Sequence, residues 1–144
     1  MSLKLSYGFS IKNSSWSTSD PVSEQGSNMS KRILSVSYDE SLLSTRQMLL
    51  QQAGYEVTSA LGFPEALEWC KKGEFDLVLM GHSIPREDKQ VLVRVTRMVS
   101  QAPVLSILRP TSVPLAEADY SVKSEDGPEA LVAAVDKALG QDRR

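Results

Sequence analysis

The chain has 144 residues, a formal net charge of −2 and 41% hydrophobic residues, the balance of one soluble domain with a core of its own. The charge balance offers no basic surplus for nucleic acid or a membrane surface, and no run approaches the eighteen apolar residues of a spanning helix. Cys70 is the only cysteine and His82 the only histidine, so an internal disulfide is excluded, ligands for a zinc site are too few, and the expected compartment is the cytoplasm.

Residues 1–30 are serine-rich, with Ser14, Ser15 and Ser17 around Trp16, and show no helical periodicity. The expectation is a disordered tail, or an extension absent from the native protein, since Met29 stands just before the first core strand. Ile33–Ser37 reads as that strand. Asp39 or Ser41 can cap the helix that follows, expected over 41–53. Its Leu42, Leu49 and Ala53 share one face, with Leu43 and Leu50 beside them. Gly54 stops it. Tyr55–Ser59 is β-branched and alternating, a second strand. Pro64 suits the first turn of a helix over 63–72, with Ala66, Leu67 and Cys70 inward and cations at its end.

Phe75 to Pro85 organises the rest. Leu77–Met80 is a continuous apolar run, the signature of a strand buried on both faces. Gly81, His82 and Ser83 follow it, and sheets of this kind place their sites just beyond the carboxyl ends of such strands. No good nucleophile and no pair of acids stands there. A helix over 87–100 comes next, with Val91, Val95, Met98 and Val99 assigned to its inner face. Pro103–Leu108 is a fourth strand. Pro110 and Pro114 then forbid a long helix over 109–118. Asp119–Val122 is a short last strand, 127–139 a final helix, and 141–144 a polar end. Alternation with short connections predicts a doubly wound α/β fold of the flavodoxin-like kind over 31–140. It has five parallel strands in the order 2-1-3-4-5, with the fourth helix shortened or lost.

In this order and spacing, Ile33–Val36, Leu42–Leu50, Ala53–Val57, Glu65–Leu67, Phe75–Met80 with Pro85, Pro103-Val104 and Asp119–Lys123 resemble the receiver (CheY-like) domain of bacterial response regulators. The resemblance implies a signalling module of the two-component, phosphorelay type. It also implies five site positions: an acid pair that binds Mg²⁺, an aspartate that takes the phosphoryl group, a hydroxyl that senses it and a lysine that pairs with it. In this chain the acid pair falls on Ser37 and Tyr38, the acceptor on Gly81 and the hydroxyl on Leu108; only Lys123 is retained. The expectation is a degenerate receiver, or pseudo-receiver. It would be no enzyme, take up no metal or cofactor, and act through contact with a signalling protein, without nucleic acid or membrane.

Two other readings attach to the same mouth. Asp39, His82, Arg109 and Lys123 form a possible pocket, which suits an alternative function as a small-ligand or anion-binding domain of the same fold. The loop after strand one has no glycine for a phosphate cradle. The plain readings are that His82 is a polar strand-end residue, that Asp39 and Glu40 serve helix one, and that Lys123 pairs with Asp39.

Overall fold

Four residues with no polar side chain, Leu77–Met80, form the middle strand of the sheet and are buried on both sides. The computed structural model describes residues 30–140. The expectations for residues 1–29 and 141–144 lie outside the described residues. The described chain runs β1 (Arg32–Ser37), α1 (Glu40–Gln52), β2 (Glu56–Leu61), α2 (Phe63–Lys72), β3 (Leu77–Met80), α3 (Arg86–Val99), β4 (Val104–Leu108), β5 (Tyr120–Lys123) and α4 (Gly127–Ala138), with a 3-10 turn before α4. All strand pairs are parallel and the order is β2-β1-β3-β4-β5. This is the doubly wound flavodoxin-like arrangement expected from the alternation of strands and helices.

Strand alternation sends side chains to two cores. Leu34, Val36, Val78, Met80 and Val104 pack with Cys70 of α2 and Leu92 and Val93 of α3 on one face. Ile33, Leu77, Leu79, Leu105 and Ile107 pack with Leu50 of α1 and Leu131 and Val135 of α4 on the other. Each fully buried aliphatic side chain contributes roughly 1.5–3 kcal/mol. Polar ties fix the strand starts. Asp76 Oδ2 accepts from Arg32 N at 2.8 Å, and Asp119 Oδ2 accepts from Val104 N at 2.8 Å and from Arg97 Nη2 at 2.7 Å. Each of these aspartates stands one residue before a strand and clamps the neighbouring strand's first backbone N–H. Across the second face, the Tyr55 hydroxyl donates to Asp136 of α4.

The capping chemistry follows the sequence. Asp39 Oδ1 accepts from Leu42 N and closes the start of α1. Gly73 ends α2 with φ 64°, and a Cβ there would lie 3.0 Å from Val99. Glycine is needed both for the left-handed turn and for the approach of the two helix ends. Trp69 stacks edge-on against Phe75, their ring centroids 6.0 Å apart, a packing role.

The inner face of α3 is a correction. Val95 is half-buried and packs against the first core as expected, but Val91 is only half-buried, Met98 is 82% exposed and Val99 49%. The stripe that meets the sheet is Lys89, Leu92, Val93 and Thr96. Two of its four members are polar, so the apolar residues alone gave the wrong phase of the 3.6-residue period.

Between β4 and β5, residues 109–119 contain turns and no helix. Three contacts hold this crossover in place of helical packing. Leu115 is 3% exposed and sits in the first core. Arg86 donates to Val113 O, and Arg97 to Glu117 O. The sheet surface left bare carries Ser121, which is exposed. Of the three contacts, that of Leu115 is the only buried apolar one. Leu115→Ala is expected to cost about 2–4 kcal/mol, and Val113→Ala, at a residue 70% exposed, less than about 0.5 kcal/mol. Urea unfolding of the two variants gives the comparison, and equal effects would refute the anchoring role.

Candidate functional site

At the carboxyl end of β1, backbone and hydroxyls knit two loops together. Ser37 is fully buried. Its Oγ donates to Asp39 O at 3.1 Å, accepts from Asp39 N at 3.0 Å and lies 3.2 Å from Ser83 Oγ. Ser83 Oγ in turn accepts from Tyr38 N at 2.9 Å. The Tyr38 side chain leaves this latch and donates to Asp88 of α3 at 2.8 Å. Burial, then that bond to Asp88, pushes the Tyr38 hydroxyl well above the usual phenol range. Asp39 is occupied by its capping bond.

A Mg²⁺ ion wants several carboxylate and carbonyl oxygens converging on one point. Ser37 and Tyr38 spend their oxygens on local bonds, and Gly81 has no side chain. Among the described residues no three His, Cys, Asp or Glu side chains gather. The residues at the receiver-like positions do not fit the ion.

Gly81 is buried at the end of β3, and its N–H still bonds Val36 O at 2.9 Å. A Cβ at this position would lie 2.6 Å from Arg46 Nη1, 3.2 Å from Val36 O and 3.6 Å from Ser37 Cβ. The guanidinium of Arg46, reaching in from α1, occupies the space an acceptor side chain would need. Arg46 is 6% exposed, and its Nη1 is enclosed with no hydrogen-bond partner. Burial lowers its pKa from the usual arginine range, and the charge of Asp39 opposes that shift. Arginine stays ionised even so.

On the other side of β3, α3 sends in a second cation. Lys89 is 6% exposed. Its Nζ donates to Ser106 Oγ at 2.8 Å and to Ile107 O at 3.1 Å, both on β4. Burial first, then Arg46, Arg86 and Arg109, push its pKa down to about 8. Leu108, at the position of the sensing hydroxyl, is buried and pairs in register with Lys123. His82 lines the cavities that Arg46 and Lys89 border. Burial, then Arg46, Arg109 and Lys89, hold its pKa below the usual histidine value, and its Nδ1 is enclosed without a partner.

The structure divides the expected pocket. His82 and Lys123 line a cavity of about 240 Å³ between α1 and α4. His82 and Arg109 line a second of about 80 Å³ under the 109–115 loop, with Lys89 and Arg86. Asp39 lines neither, and Lys123 is exposed with no ion pair to Asp39. The pairing expected for Lys123 and Asp39 is thus corrected: the cap of α1 holds the carboxylate.

Reading by motif missed Arg46 and Lys89, although both leave a signal in the sequence. Arg46 falls between Leu42 and Leu49 on the apolar stripe of α1, and Lys89 precedes Leu92 and Val93 on that of α3. A cation on a buried stripe is rare without a partner.

Two outcomes follow. Gly81→Ala forces the Arg46 head to move and crowds Val36 O, and is expected to cost about 1–3 kcal/mol. In the Arg46→Met background the cost falls, a coupling readable by a double-mutant cycle. The second concerns pH. Between about 8 and 10.5 the unfolded chain holds a proton on Lys89 that the fold does not. This group therefore makes the protein more stable as pH rises through that window, by up to roughly 1 kcal/mol per unit. Tyr38 and Cys70, whose pKa values burial raises, act in the opposite sense above their ordinary values of 10.0 and 9.0, so pH 8–9 is the clean range. Denaturation across it is expected to show a flatter profile for Lys89→Met than for the parent, and parallel profiles would refute the assignment.

No family model and no curated protein matches the chain. Solved structures do. The chemotaxis response regulator CheY4 of Vibrio cholerae is 25% identical with a TM-score of 0.66, over 77% of this chain and 100% of that one. A putative response regulator from Chloroflexus aurantiacus is 22% identical with a TM-score of 0.65, over 78% and 100%. A CheY-like receiver domain protein from Methanospirillum hungatei is 21% identical with a TM-score of 0.63, over 78% and 95%. With its five parallel strands in receiver order, the described part of this chain has the CheY-like fold of response regulator receiver domains.

Proposed function

We propose that this domain is a signalling module of the two-component type that has lost phosphotransfer and acts in the cytoplasm through protein contacts, without catalysis. The observation that carries the reading is the Arg46 guanidinium over Gly81. A receiver needs a carboxylate nucleophile at that point and a cation bound beside it. This chain puts its own cation there and removes the nucleophile. The Ser37–Ser83 latch closes the loops that would have carried the acid pair, and Leu108 has no hydroxyl to report a phosphoryl group.

Support for a signalling role comes from the named neighbours, which are response regulators. Such folds host many functions, so the role is tested on the site and its contacts. The full chain incubated with acetyl phosphate is expected to show no phosphate-sized mass increase, and amide NMR no clustered shifts with Mg²⁺ and beryllofluoride. Gly81→Asp is expected to stay unmodified, because the new carboxylate would pair with Arg46. A mass increase on the parent chain would overturn the loss of phosphotransfer. Affinity capture from the native cell is expected to return a protein of a signalling pathway, and stoichiometric capture of a metabolic enzyme alone would overturn the signalling role.

A further inference from the structure

The 240 Å³ cavity between α1 and α4 is lined by apolar side chains together with Arg46, His82 and Lys123. Leu42, Leu49, Ile107, Val122 and Leu131 form its walls, and Arg46, His82 and Lys123 stand at the mouth of the sheet. We propose that this cavity binds a small organic anion, with its apolar body on those walls and its carboxylate or phosphate head at Arg46. The inference goes beyond the signalling reading and does not depend on it.

Three observations carry it. First, Arg46 is more than nine-tenths buried, and its Nη1 has no partner. An ionised group withdrawn from water is costly, Asp39 offsets only part of that cost, and an anion against the edge of the guanidinium that lines the cavity supplies a direct counter-charge. The planar guanidinium donates in a fork that matches a carboxylate or phosphate. Second, the charge around this point is one-sided. Arg109, Lys89 and Arg46 all bear on His82, and the one carboxylate that does so, Asp39, is engaged in capping α1. Third, the walls favour carbon over water. An apolar cavity of about 150 Å³ accepts benzene, so this one takes roughly ten non-hydrogen atoms. A nucleotide is too large for it. Inorganic phosphate would satisfy Arg46 and leave the walls empty.

The test is amide NMR titration of the full chain with four probes: benzoate, phenyl phosphate, benzyl alcohol and inorganic phosphate. Benzoate and phenyl phosphate are expected to bind with dissociation constants below about 1 mM, shifting Arg46, His82, Val122, Lys123 and Leu131. Benzyl alcohol, which has the body without the charge, and inorganic phosphate, which has the charge without the body, are expected to bind at least about tenfold more weakly. Arg46→Met is expected to remove the preference for benzoate over benzyl alcohol. Val122→Phe, which fills the cavity, is expected to weaken both organic anions. Should Arg46→Met not fold, Lys123→Gln tests the same charge dependence, with a loss of roughly threefold for the anions only. The proposal is overturned by no saturable shift from either organic anion up to about 10 mM. It is equally overturned if benzoate and benzyl alcohol bind alike in the parent chain, or if neither charge variant weakens the anions.

Discussion

The middle strand β3 is bonded along both edges and covered on both faces, and none of its four residues carries a polar side chain. The chemistry available to the mouth therefore begins at Gly81. Its N–H is still held by Val36 O, so the backbone there cannot retreat. Any side chain at Gly81 must compete with whatever the flanking helices deliver. Here α1 delivers a guanidinium, and its length fits because the glycine offers no Cβ. Arg46 and Gly81 are each the condition for the other.

The second consequence is electrostatic. In the receiver-like arrangement implied by the sequence, carboxylates dominate and are offset by a metal ion and a lysine. In this molecule hydroxyls and a glycine stand at the corresponding positions, and Arg46 and Lys89 enter from opposite helices. The hydroxyls satisfy one another and the loop backbone. The cations do not: Lys89 has only neutral acceptors, and Arg46 Nη1 has none. Repulsion and burial reduce the proton affinity of both Lys89 and His82. The positive charge at this mouth is incompletely compensated.

The fold was legible because its signals are local and redundant. The apolar run of β3, the cap at Asp39, Gly54 and Gly73, and the prolines at 110 and 114 each specify a boundary, and the strand order follows from short right-handed crossovers. Spacing also assigned Ser37, Tyr38, Gly81 and Leu108 to the receiver-like positions, and the structure places them at the carboxyl ends of β1, β3 and β4. The cations that stand at this mouth were not legible. Arg46 and Lys89 act at positions 35 and 8 residues from Gly81, and only the folded sheet brings them to it. Their polar character also hid them, because an inward stripe is recognised by its apolar members. The same bias turned the inner face of α3 toward Val91 and Met98, when Lys89 and Thr96 in fact complete it.

The crossover without a helix has a consequence for how the molecule fluctuates. β5 is an edge strand, bonded only to β4, and its four residues are alternately half-buried and exposed. The core beneath Tyr120 and Val122 shields one side, and water reaches the other at Ser121. A strand covered on one side and paired on one edge sits at the low end of local opening free energies. Its unzipping would carry α4 with it, since the two join through a three-residue turn. Amide hydrogens at this end should therefore exchange by partial opening, well before those of β1 and β3. Val122 and Leu131, which wall the 240 Å³ cavity, belong to that same unit, so opening of the sheet's edge would open that wall of the cavity.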